Sequence, residues 1–269
     1  MSEVAVDASA FDLPPRGGDG RVGALCLHGL TGTPYEVRPI AEALAARGIH
    51  ARGPVLPGHD TGPEELARLP YSAWLETARD EIGKLRSQHE TVCVAGLSLG
   101  GVTTLAVASE GLADAIAVVA TPLRLHPAPL VALIPFAKYV YPYLPKRQGS
   151  DIQEPAARAR QPGYPKMPLR SLHELMKLQG WVRGRLARIS VPIFVSHGLL
   201  DRTADLRDAH EIAGAVSSDD RRLLILERSG HVVPVDYDGA RMSEEIARFF
   251  EARGSSAGGF SRSDARPAI

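Results

Sequence analysis

The chain has 269 residues, with 31 basic and 31 acidic side chains, nine histidines and two cysteines, so its formal net charge is zero with histidine neutral. That length makes one large domain or two small ones and allows roughly 70 to 75% of the unfolded surface to be buried. An apolar fraction of 44% and a charged fraction of 23% exclude a disordered, collagenous or coiled-coil chain. The 26 arginines far outnumber the five lysines, yet carboxylates match them, so no basic footprint for nucleic acid is present.

Cys26 and Cys93 each sit inside a short apolar run, where a thiol behaves as a small buried hydrophobe and not as part of a disulfide framework. Residues 1–20 carry Glu3, Asp7 and Asp12 and lack a basic stretch followed by an apolar one, so no secretory leader is read and a cytoplasmic location is expected. Ala128 to Pro145 comes close to bilayer length, but Lys138 and several prolines interrupt it, and no membrane span is expected there.

In chain order, VGALCLH reads as a strand, PYEVRPIAEALAARG as a helix and IHARGPV as a strand. After a loop, YSAWLETARDEIGKLRSQHE places Trp74, Leu75, Ala78, Ile82 and Leu85 on one helical face, with Ser72 available as a cap. Thr91 to Leu97 is apolar throughout, as a parallel strand covered on both faces requires. LGGVTTLAVASEG follows as a helix and DAIAVVAT as a strand. Beyond an interruption come the strand VPIFVSHG, the helix LRDAHEIAGAV, the strand RRLLILE and the closing helix RMSEEIARFFEARG. The alternation predicts an α/β fold with a mainly parallel sheet of about six strands.

The interruption runs from Pro122 to Gly180, and its 59 residues hold ten of the 21 prolines and four of the seven tyrosines. Long insertions between regular elements tend to be functional, so residues 122–180 are expected to form a lid or cap, 1–121 and 181–253 the core, and the Gly/Ser-rich residues 254–269 a tail. Within the insertion, Leu133, Ile134, Phe136, Tyr139, Val140 and Tyr143 offer more apolar surface than a solvated lid needs, and some of it is expected to turn toward whatever the lid covers, with Leu133, Phe136, Tyr139, Val140 and Tyr143 the expected binding residues.

The strongest chemical signal is GLSLGG, residues 96–101, between the all-apolar strand and a helix. A serine flanked by glycines two positions before and after it can occupy a strained strand-to-helix turn, because those neighbours carry no Cβ to collide with adjacent backbone. Ser98 is therefore the expected nucleophile rather than a plain capping serine. A serine hydroxyl needs a base, and the base needs an orienting acid. Among the histidines, His28 and His197 end strands and read as structural, His89 and His210 fall in helical patterns, and His50, His126 and His173 have no acid at suggestive spacing. His231 follows the last strand on the loop RSGHVVP, from which an imidazole can reach over the sheet edge. Asp201 follows the strand VPIFVSHG, whereas Asp205 and Asp208 belong to the next helix and read as capping or solvated. Two backbone donors for a developing oxyanion are expected at Leu99, after the nucleophile, and at Leu30, in the loop after the first strand.

HGLTGTPYE, LPGHD, GLSLGG, HGLLD and SGH, in this order across residues 22–252, resemble the α/β-hydrolase superfamily, and within it the small bacterial carboxylesterase and monoacylglycerol-lipase branch. That resemblance implies an α/β-hydrolase core with a helical cap, a triad of Ser98, Asp201 and His231, and oxyanion donors at Leu30 and Leu99. The implied activity is cofactor-free and metal-free serine hydrolysis of short- to medium-chain acyl esters or monoacylglycerols, with a small-molecule ester as the partner. Acyl transfer, thioester hydrolysis or carbon–carbon bond hydrolysis could run on the same residues, and a binding module without turnover is the rival from another class.

Overall fold

A computed structural model of the chain describes residues 6–18, 20–127, 131–146 and 149–256. Its strands are β1 (Phe11–Leu13), β2 (Val22–Leu27), β3 (His50–Gly53), β4 (Thr91–Leu97), β5 (Ala115–Val119), β6 (Tyr143–Pro145), β7 (Lys166–Pro168), β8 (Ile193–Gly198) and β9 (Arg221–Leu226). Seven of them form one sheet in the order β1-β3-β2-β4-β5-β8-β9, and β6 and β7 pair separately as an antiparallel ribbon. From β3 to β9 every neighbouring pair in the large sheet is parallel, and only β1 runs antiparallel, against β3. The six parallel strands are those expected. The sequence pattern does not reveal β1, because three residues are too few to display a period of two.

The helices are α1 (Arg38–Ala46), α2 (Pro63–Leu66), α3 (Tyr71–Arg86), α4 (Leu99–Ser109), α5 (Ile134–Ala137), α6 (Pro155–Arg160), α7 (Leu169–Arg183), α8 (Leu206–Ala215) and α9 (Gly239–Ser256). Alternate side chains of the sheet feed two separate cores. Leu25, Leu27, Val92, Val94, Ile116, Val118, Ile193 and Val195 face α3, α4, α7 and α8. Ala24, Cys26, Cys93, Ala95, Ala115 and Ala117 face α1 and α9, which supply Ile40, Leu44, Ile246, Phe249 and Phe250. At the centre of the second face β2, β4 and β5 present these small residues, so larger helix side chains can reach the sheet there without overpacking it. Both cysteines are fully buried there, and burial pushes the Cys26 thiol up to about 12, which makes it inert as a nucleophile.

The expected apolar face of α3 is borne out: Trp74, Leu75, Ala78, Ile82 and Leu85 are all buried. Its capping is not, since the helix begins at Tyr71 after Pro70 and Ser72 lies within the first turn. His89 lies beyond the end of α3, where it is held by the Gly20 carbonyl at 2.7 Å and by His50 at 2.7 Å, so it is not a solvated helix residue. Asp205 caps α8 by accepting from the Arg207 N–H at 2.9 Å, as expected. Asp208 departs from expectation. It is buried and accepts from the Leu123 N–H at 3.0 Å, fixing the chain as it leaves β5.

The interruption also divides differently from its sequence boundaries. Helix α7 crosses residue 180, and its Leu175, Leu178 and Val182 belong to the main core, so its second half is part of the α/β layer. Closing helix α9 runs to Ser256 and makes the first residues of the expected tail helical, while 257–269 lie outside the described residues. Among the described residues no helix is long and apolar enough to cross a membrane; residues 128–130 of the stretch weighed for that role lie outside them.

Candidate active site

Ser98 stands between β4 and α4 with φ 55° and ψ −113°, a backbone conformation that L residues adopt at appreciable cost. Three glycines make the turn possible. A Cβ on Gly96 would overlap the Gly100 carbonyl, one on Gly100 would overlap the Leu27 carbonyl, and one on Gly101 would overlap the Thr121 hydroxyl. The turn is pinned by the Ser98 N–H donating to the Val119 carbonyl at 2.9 Å and by the Val102 N–H donating to the Ser98 carbonyl at 2.9 Å. Leu99 is the first residue of α4, so its N–H has no partner within the helix.

Across the sheet edge, His231 Nδ1 lies 2.8 Å from Asp201 Oδ2. The loop that carries His231 passes so close to β8 that a Cβ on Gly198 would strike the Ser229 and Gly230 carbonyls. The insertion fixes it from the other side: the His231 and Val232 N–H groups both donate to the Asp151 carbonyl, at 2.9 and 3.1 Å. Buried Asp236 accepts from Gly230, Gln153 and Glu154 N–H groups and joins the same two segments.

Asp201 has nearly its full acceptor capacity in use. Oδ1 takes the Thr203 and Ala204 N–H groups at 2.7 and 2.8 Å, and Oδ2 is shared between His231 and His197, the latter at 3.1 Å. Burial disfavours its charge, but His231, His197 and the Ala204 N–H outweigh that and hold the carboxyl well below the usual carboxylate range. His231 shows the mirror image: burial disfavours the imidazolium, yet Asp201 outweighs it and raises the pKa above the ordinary value. Sequence reasoning classed His197 as structural, and its contact with the acid gives that role content.

A cavity of about 520 Å³ joins these groups; Ser98, His231, Leu30 and Leu97 line it together with Pro122, Leu125, Pro145, Met167, Leu172, Leu175 and Val232. The insertion therefore roofs the site, but with other side chains than those expected. Leu133, Phe136, Tyr139 and Val140 are 57 to 75% exposed and do not line the cavity, and half-buried Tyr143 does not line it either. The reason is the shortness of α5, which turns Ile134 inward against α7 and leaves the rest of the apolar run on the outer face. Leu172 and Leu175 of α7 and Met167 of β7 meet the cavity instead. Sequence reasoning also missed Glu36, Lys146, Asp151 and Arg202 as lining residues, although Glu36 lies within the quoted motif HGLTGTPYE.

The profile of the alpha/beta hydrolase family matches residues 24–248. The chain is 32% identical over 232 residues to a thermostable monoacylglycerol lipase of Bacillus sp. (strain H-257), covering 86% of this chain and 91% of the relative. It is 28% identical over 239 residues to a carboxylesterase of Bacillus subtilis (strain 168), covering 88% and 94% respectively. Among solved structures, one from work on the metagenome-derived lipolytic enzymes LipS and LipT superposes with a TM-score of 0.84 at 26% identity, covering 91% of this chain and 98% of the other. A monoacylglycerol lipase from Paleococcus ferrophilus shares the fold with a TM-score of 0.75 at 17% identity, covering 91% and 97%. With a family match over most of its length and the strand order, the strained serine turn and the His231–Asp201 pair in place, the chain belongs to the alpha/beta hydrolase family.

Proposed function

We propose that the protein is a serine hydrolase of carboxylic esters, acting on short- to medium-chain acyl esters or monoacylglycerols through an acyl-enzyme on Ser98. The observation that carries this reading is the 2.8 Å contact between His231 and Asp201, with His231 and a serine on a strained turn lining one cavity. Ser98 Oγ attacks the ester carbonyl while His231 Nε2 takes its proton, and Asp201 holds the Nδ1–H tautomer and stabilises the imidazolium. The carbonyl oxygen, now negative, accepts from the Leu30 and Leu99 N–H groups. Collapse of the tetrahedral intermediate expels the alcohol, which leaves with the proton from His231. Water then repeats the sequence on the acyl-enzyme and restores Ser98.

The insertion at residues 122–180, apart from the second half of α7, acts as the cap over the acyl pocket, and its apolar lining selects the chain. Each methylene buried there contributes about 0.8 kcal/mol, or up to about fourfold in kcat/KM, until the pocket is full. The relatives named for monoacylglycerol and carboxylic ester hydrolysis support the same substrate class. A series of p-nitrophenyl esters from acetate to palmitate, run beside monoacylglycerols and acyl-thioesters, tests it. The reading requires kcat/KM to climb past acetate to a maximum, with Ser98→Ala inactive throughout. A maximum at acetate or a flat profile rejects the acyl-binding cap, and preference for thioesters moves the substrate class.

A further inference from the structure

The loop after β2 is folded around a carboxylate that the proposed chemistry does not use. Glu36 stands in the turn Pro34–Val37, and its side chain is buried and points back into the loop, where Oε2 accepts from the Gly29 N–H at 3.0 Å. The two loop glycines make room for it. A Cβ on Gly32 would overlap the carboxylate itself, and one on Gly29 would lie 3.1 Å from Oε2. The other oxygen, Oε1, accepts from Gln161 Nε2 of the insertion at 2.8 Å.

The peptide unit that follows, Gly29–Leu30, is held through its carbonyl. The Gly29 carbonyl accepts from the Gly32 N–H at 3.1 Å, with Thr31 between them at φ 64°. It lies 3.0 Å from His28 Nδ1, and His28 Nε2 accepts from the Leu56 N–H at 3.0 Å, so the ring proton resides on Nδ1 and is donated to that carbonyl. In a trans peptide the N–H points opposite to the C=O. Anchoring the Gly29 carbonyl therefore sets the direction of the Leu30 N–H, the second expected oxyanion donor, and the Glu36 bond to the Gly29 N–H fixes the residue from which that peptide hangs. The insertion grips the loop at two further points. The Tyr164 N–H donates to the Thr31 carbonyl at 3.0 Å, and Lys146 Nζ donates to the Thr31 hydroxyl.

We infer that Glu36 is a positioning residue: its buried carboxylate folds the Gly29–Gly32 loop so that the Leu30 N–H is preset for the oxyanion, and through Gln161 it ties that geometry to the cap. The inference rests on the ester-hydrolase reading of the site. Burial pushes the Glu36 carboxyl up from its usual value, the Gly29 N–H, Lys146 and His231 oppose that rise, and in its ionised form the carboxylate raises the pKa of His231.

Three proteins test it: wild type, Glu36→Ala and Glu36→Gln, each assayed on a p-nitrophenyl ester for kcat and KM against pH, and each examined by amide hydrogen exchange over residues 28–37. Removing one oxyanion donor costs on the order of 10² to 10³ in kcat. Glu36→Ala is expected to approach that loss with KM changed less than about threefold, and to speed exchange in the loop. Glu36→Gln keeps an acceptor for the Gly29 N–H, so it recovers most of kcat and of the protection. It also removes a negative charge near His231, which moves the acid limb of kcat/KM to lower pH. An alanine variant whose loop exchanges like wild type, or whose kcat stays within twofold, overturns the inference, as does a change confined to KM. If the wild type hydrolyses no ester, the reading of the site fails separately, and the exchange comparison alone then decides whether Glu36 holds the loop.

Discussion

The sheet edge and the interrupting segment above it solve opposite problems. In β4 and β5 every residue is buried, the strands pair in one register, and one glycine-rich turn fixes Ser98. Ahead of α7, the interrupting segment is held by point contacts, such as the Asp151 carbonyl under His231, and leaves Phe136 at 75% exposure. The two regions therefore differ in how tightly they constrain a side chain. Ser98 is set by the rigid layer, whereas the cavity beside it is also lined by Met167 of the β6–β7 ribbon and by Leu172 and Leu175 of α7, a helix that packs on the core.

Substitutions at the edge are expected to have the largest effects. Ser98→Ala is expected to lower kcat by on the order of 10⁶ while circular dichroism and melting stay near wild type, since the side chain lost is small. Asp201→Asn is expected to lower kcat by roughly 10⁴ through the wrong imidazole tautomer, whereas Asp205→Asn, at the start of α8, leaves kcat near wild type. The reverse ranking reassigns the acid. Stability draws the same contrast with one residue type: Phe250→Ala in the closed core is expected to cost about 3 to 5 kcal/mol, and Phe136→Ala on the insertion's outer face less than about 0.5 kcal/mol, measured by denaturant unfolding.

Smaller effects are expected from the base and from the cavity lining. His231 must be neutral to accept a proton, and Asp201 raises its pKa in the folded protein, so kcat/KM is expected to rise with pH through a value above the ordinary imidazole pKa of about 6.5. A limb well below that value contradicts the pairing. Leu172→Ala, facing the cavity, is expected to lower kcat/KM for long acyl chains by about tenfold while sparing acetate, and Phe136→Ser to change neither on monomeric esters. A chain-length profile that follows Phe136 instead of Leu172 returns the acyl contact to the outer face.

What the sequence disclosed follows the same division. The parallel strands, the face of α3 and the serine turn were legible because period, β-branched content and glycine spacing are local properties. His231 and Asp201 could be chosen because each follows a strand end on one side of a parallel sheet. The insertion was legible as an interruption, but not its orientation: Leu133 to Tyr143 is apolar in composition, and only the packing of a four-residue helix against α7 decides which side chains turn inward. Glu36 escaped for a related reason. Its partner is a backbone N–H seven residues away, and no side-chain pattern records such a bond.

The central claim is that Ser98, activated by His231, is the residue that becomes acylated. Mass spectrometry after reaction with an organophosphonate tests it most directly. One adduct per chain, on Ser98, absent in Ser98→Ala and formed at least about 10³-fold more slowly in His231→Ala, is the result this account predicts. An adduct on another residue, or a labelling rate unchanged by loss of the imidazole, contradicts it.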